Sequence, residues 1–231
     1  MLDKNGWHID EKTAFAEARR TEKPVFLFFG SNLCSCNQMK TDLHQEAPLA
    51  NLIRNELIGL HITTDTPDLF QTYVIKNIPT FIVAKADGIE YARSLDANTA
   101  DDLAAFCLLA LGKIAYDHGE TARAQQFMER LVSAYPQSLQ APEGVFLRGV
   151  YRYMTSQDPV HLKASLFMLG KNYPGSIWVR RSLVLHLHHS AVTDWDACRK
   201  KRIDYWQTQD AYLKAYFTYH NGPSIHHFNT I

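Results

Sequence analysis

Apolar and polar positions alternate between two periods along the first half of the chain, and each stretch predicts an element. Residues 10 to 21 begin acidic, end basic and space Ala and Phe as an amphipathic helix does. Lys23-Pro24 then opens the short apolar run Val25-Phe26-Leu27-Phe28-Phe29, a buried strand. From about Leu33 to Arg54 the spacing is helical again. An interruption is expected near Pro48, because proline breaks the backbone ladder and restricts Ala47 before it. Leu57 to Ile62 is a second strand, and a short helix around Pro67 to Val74 follows. Thr80 to Ala84 is a third strand, joined through the hairpin signal Asp87-Gly88 to an edge strand over Ile89 to Leu95. A helix over Asn98 to Leu111 closes this unit.

Beyond Leu111 only helical signals remain. Tyr173-Pro174-Gly175-Ser176 repeats Tyr135-Pro136-Gln137-Ser138 at an offset of 38, and Gly149 and Tyr153 follow Gly112 and Tyr116 by 37. With Ala122, Ala124 and Phe127 where paired helices cross, this region resembles tetratricopeptide repeats, whose period is about 34 residues. A third helical pair, Ser176 to Ser190 and Asp194 to His220, is expected to serve as a cap, and Gly222 to Ile231 as a tail.

Two short motifs carry the candidate chemistry. Cys34-Ser35-Cys36 follows the first strand and precedes a helix, while Ile78-Pro79 opens the third strand. A proline there donates nothing to the sheet, and X-Pro bonds are nearly the sole place for a cis peptide. On this order of elements, residues 7 to 112 resemble the thioredoxin family, in which a cis-proline loop packs against a cysteine turn. The resemblance implies an α/β thioredoxin-like domain (βαβ…ββα with a cis-Pro loop) over 1–112. An all-α tetratricopeptide-like domain over 113–221 and a tail over 222–231 are expected to follow it.

The same resemblance implies a thiol-disulfide oxidoreductase or isomerase acting on protein thiols. Its thiolate sits at a helix start, which lowers the thiol pKa, and a second cysteine resolves the mixed disulfide. Two alignments stay open. Counting forward from Lys23-Pro24 makes Cys34 the nucleophile and Cys36 the resolving thiol, with the motif one residue short of the family's usual spacing. A disulfide across so small a ring would be strained, shifting it toward an oxidant or isomerase. Counting back from Met39 puts Cys36 at the resolving position and Leu33 where the nucleophile belongs. The family's buried carboxylate would fall near Leu27, and its tryptophan before the first cysteine is missing. Both departures argue against efficient reductase activity. In the family, residues beside the cis-proline hold an extended substrate strand, which implies that role for Ile78 and Pro79.

Three other readings stand beside this one. The cysteines are incidental surface thiols on a redox-inactive adaptor or chaperone-type protein, whose helical half binds a protein partner. They form half of a soft-metal site with His44, although no metal and no cofactor is expected. Pro79 is simply a strand-opening proline. His186, His189 and His226-His227 lack an acidic third ligand at matching spacing and read as packing or surface histidines. Tyr205, Trp206, Tyr212, Tyr216, Phe217 and Tyr219 read as a packed helix face, and Cys107 and Cys198 as small buried hydrophobes.

Composition narrows the field. With 231 residues and 46% hydrophobic content there is material for two cores. Lys plus Arg equals Asp plus Glu at 24 each, which leaves no electrostatic footprint for nucleic acid or an anionic membrane. Arg199-Lys200-Lys201-Arg202 reads as a solvated helix face. Four cysteines are too few for a disulfide scaffold, the N-terminus has no apolar signal region, and no stretch approaches a membrane span. A cytoplasmic protein is expected.

Overall fold

The computed structural model describes residue 2 and residues 6–31, 47–95 and 99–188. Helix α1 (Glu11–Thr21) starts where expected: the Asp10 carboxylate accepts from the Thr13 N–H at 2.9 Å and caps it. Four strands follow in one sheet, β1 (Val25–Phe29), β2 (Ile58–Ile62), β3 (Thr80–Ala84) and β4 (Glu90–Ser94), interleaved with α2 (Ala47–Glu56) and α3 (Pro67–Thr72). Their order is β2-β1-β3-β4, with β1 and β2 parallel and the β1–β3 and β3–β4 pairs antiparallel. This is the predicted thioredoxin-like layout.

Strand alternation assigns each residue of β1 to a layer. Phe26 and Phe28 point with Phe81 and Val83 toward Trp7, α2 and the helical half. Val25, Leu27 and Phe29 point with Ile58, Leu60, Ile62 and Ile82 toward Ala14, Phe15 and Ala18 of α1. Both faces of the central strand are thus covered, which is why it reads as an unbroken apolar run.

Pro48 does not interrupt a helix. It is the second residue of α2, in the first turn, where a backbone N–H has no helical partner to lose. The last helix of the first unit also differs from expectation. Helix α4 (Ala100–Asp117) opens on a Thr99–Asp102 capping box and continues past Leu111, ending before Gly119 at φ 78°. The boundary expected at residue 112 therefore falls inside α4, with Leu111, Ile114 and Ala115 all buried. Gly112 is a crossing point and not a stop: a β-carbon there would lie 2.2 Å from Met128 Cε.

The rest of the described chain is helical: α5 (Thr121–Ala134), α6 (Ala141–Ser156), α7 (Val160–Asn172) and α8 (Ile177–His188), each packed on the next. The two Tyr-Pro segments end their helices alike. Tyr135 and Tyr173 end α5 and α7 with matching backbone angles (φ −127°, ψ 52° and φ −136°, ψ 52°), their N–H groups donating to Leu131 and Leu169. Gly149 is the counterpart of Gly112, since a β-carbon there would meet Ser165 Oγ at 2.1 Å. Tyr173 Oη donates to Pro136 O at 2.7 Å, joining the two segments. Side chains from the sheet, α2, α4 and α5 share one core, in which Phe26, Phe81, Leu49, Leu108, Phe127 and Leu131 are all buried. The second helix of the expected third pair and the tail lie outside the described residues.

Candidate thiol-redox site

The site is built where β1 ends. Phe29 is the register partner of Ile62 on one side and of Thr80 on the other. Gly30 extends the parallel ladder by one bond, its N–H donating to Ile62 O at 3.0 Å, and Ser31 is buried after it. The peptide preceding Thr80, Ile78-Pro79, is cis as the resemblance implies. Antiparallel pairing of Phe29 with Thr80 therefore sets Pro79 beside Gly30, at the point where the chain leaves the sheet toward the cysteines. Cys34 and Cys36 themselves, with Ser35, Met39 and His44, lie outside the described residues.

The loop before Pro79 is held by bonds from two sides. Tyr73 Oη donates to Gly88 O at 2.8 Å, and Arg93 Nη2 donates to Tyr73 O at 2.6 Å while also pairing with Glu90. Thr80 Oγ1 donates to Asn77 O at 2.6 Å, closing the other end. Between these anchors Val74 has φ 49°, a left-handed conformation that β-branched residues rarely adopt, although its side chain is 63% exposed. Ile78, 40% exposed, presents its side chain at the surface. Tyr73, Val74 and Arg93 are not singled out by sequence reasoning, because their contacts join positions 15 and 20 residues apart through tertiary geometry alone.

Leu27 is fully buried at the centre of β1, so the position expected to lack the family's carboxylate is packed as pure core. Across the other layer Phe28 stacks on His61 at 5.0 Å and on Phe81 at 5.1 Å. Cys107 is fully buried in α4, where burial pushes its thiol up and keeps it protonated and inert. No group of three metal-capable side chains occurs among the described residues, and Cys198, His189, His226 and His227 lie outside them. Among the described residues no helix is long and apolar enough to cross a membrane.

Strand order, strand directions and the cis-proline together define the first half of the chain as a thioredoxin-like fold. No protein-family model matches the chain, and no curated protein sequence does. Among solved structures it is similar to a thioredoxin-fold protein from Helicobacter pylori, at 16% identity over 54% of this chain and 99% of that one (TM-score 0.40). A thioredoxin from Thermus thermophilus is similar at 20% identity over 49% and 90% of the two chains (TM-score 0.39). The oxidoreductase DsbH is similar at 16% over 54% and 87% (TM-score 0.37). At these TM-scores the likenesses carry no argument, and the fold class rests on this chain's own topology.

Proposed function

We propose that this chain is a thiol-disulfide oxidoreductase or isomerase acting on protein thiols, with Cys34 attacking and Cys36 resolving. The observation that carries the reading is the cis Ile78-Pro79 peptide beside the end of β1. Cys34 follows Ser31 by three residues, so chain connectivity alone keeps its Cα within about 11 Å of the Ser31 Cα. Attack by the Cys34 thiolate on a substrate disulfide forms a mixed disulfide and releases one substrate thiolate. Cys36 then attacks Cys34, releasing the second substrate thiolate and leaving the pair oxidised. Ile78 and Pro79 hold the extended substrate strand, and the tetratricopeptide-like helical half binds a protein partner. The protein works in the cytoplasm.

A trapping experiment tests this. With Cys36→Ser, a mixed disulfide between Cys34 and a scrambled-disulfide model substrate accumulates, because nothing resolves it, and Cys34→Ser forms none. The packing of Leu27 as core favours the competing reading, a redox-inactive thioredoxin-like adaptor or chaperone-type protein. That reading prevails if neither variant differs from wild type and partner binding survives Cys34→Ser.

A further inference from the structure

Arg148 of α6 is a largely buried cation with too few acceptors. Its side chain is only 14% exposed, and it reaches both neighbouring helices. Nη1 donates to Glu129 Oε2 of α5 at 3.3 Å, while Nη2 donates to Met168 Sδ of α7 at 2.7 Å. Its guanidinium makes no other hydrogen bond among the described residues. Glu129 is shared, since its second carboxylate oxygen accepts from Arg152 Nη2. One carboxylate therefore serves two guanidinium groups.

A guanidinium has five N–H donors, and a thioether sulfur is a weak acceptor. Arg148 thus turns one end of its charge toward a group that satisfies it poorly, which is costly for a donor withdrawn from water. Met168 is only partly buried, packed on the edge of the cluster of Val132, Val145 and Leu169, so a small reagent can reach it from solvent. The other two described methionines past α4 differ from it. Met128 is fully buried, Met154 is 40% exposed, and neither sulfur accepts a hydrogen bond among the described residues.

We infer that Met168 is a site of reversible oxidation to the sulfoxide, and that Arg148 is the positioning residue that holds the sulfoxide oxygen. The oxidant is a hydroperoxide. A sulfur lone pair attacks its outer oxygen and the O–O bond breaks, so that sulfur is oxidised by two electrons and the peroxide is reduced. The proton on the transferred oxygen passes to the departing oxygen, which leaves as water when the oxidant is hydrogen peroxide. The product is a strong acceptor beside Arg148, and a hydrogen bond from a cation is about twice as strong as a neutral one. Oxidation of methionine ordinarily disrupts apolar packing. Here it supplies the acceptor that Arg148 lacks and tightens the contact between α6 and α7, and methionine sulfoxide reductases reverse it. The cysteines take no part in this step.

The test treats the full-length chain, its accessible thiols alkylated beforehand, with hydrogen peroxide. Peptide-resolved mass spectrometry reads each methionine, and hydrogen exchange reads α6 and α7. Met154 and Met168 are expected to gain one oxygen each, while Met128 gains none. In molecules carrying the Met168 sulfoxide the amides of α6 and α7 should exchange severalfold more slowly than before oxidation. In Arg148→Leu the same oxidation should speed their exchange, because the new oxygen then has no cation to hold it. Should that variant fail to fold, the unaltered chain still decides: unchanged or faster exchange of α7 on oxidation overturns the inference. A Met168 that stays unoxidised when Met154 is fully converted overturns it as well, as does an effect of oxidation that is the same with and without Arg148.

Discussion

Val74 occupies a left-handed backbone conformation with a side chain that is mostly in water. An L-residue there costs about 1–2 kcal/mol, whereas glycine costs about 0.5–1 kcal/mol through its unfolded-state freedom. Val74→Gly is therefore expected to be neutral or to stabilise by up to about 1 kcal/mol, against the usual penalty for introducing glycine. Denaturant midpoints of the two proteins check this. A loss above about 1 kcal/mol would mean that the Val74 side chain holds the loop by contacts that its exposure does not suggest.

At the scale of elements, two helix glycines make opposite demands. Ser165 Oγ donates to Val145 O at 2.9 Å inside the α6–α7 contact, so it has no room to retreat from a β-carbon on Gly149. Gly149→Ala should destabilise by about 1–3 kcal/mol despite its better helix propensity. A β-carbon on Gly170 of α7 meets nothing within 4 Å, and Gly170→Ala should stabilise by up to about 1 kcal/mol. Thermal melts of both variants check the pair. The same contrast explains what could be read beforehand. The acidic start of α1, the apolar run of β1 and the proline opening β3 are local signals and were legible. Gly112 is ambiguous in sequence, because a glycine that ends a helix and one that admits a crossing helix look alike until Met128 is placed against it. Pro48 is ambiguous for a similar reason, since whether it breaks a helix or sits in the first turn depends on where the helix begins.

At the scale of the molecule, the sheet and the first helical pair share one core, so α4 belongs to both halves of the chain. The Tyr91–Asp117 hydrogen bond and the Tyr116–Tyr151 stack were not legible, because each joins two elements that only folding brings together. Several buried tyrosines set the alkaline limit of stability. Burial, then the carboxylates of Glu11, Glu90 and Asp87, push the Tyr73 phenol up to about 12, and Tyr91 and Tyr151 are also raised. An unfolded tyrosine loses its proton near pH 10. Above about pH 10 the unfolded chain therefore binds fewer protons than the folded one, so stability falls as pH rises toward about 12. This contribution is fully present below that window. Denaturant midpoints at pH 8 and pH 11 should show the loss, with phenolate absorbance of the buried rings appearing only as the chain unfolds.

On the proposed function, the chain of 231 residues uses the end of β1 and the cis-proline loop to present a working thiol pair. Mass-resolved alkylation of the native protein with limiting reagent, before and after mild oxidation, tests it most directly. Cys34 is expected to be labelled first, Cys107 to stay unlabelled until unfolding, and oxidation to protect Cys34 and Cys36 together. Slow labelling of Cys34 no faster than Cys107, with an unchanged thiol count after oxidation, would contradict it.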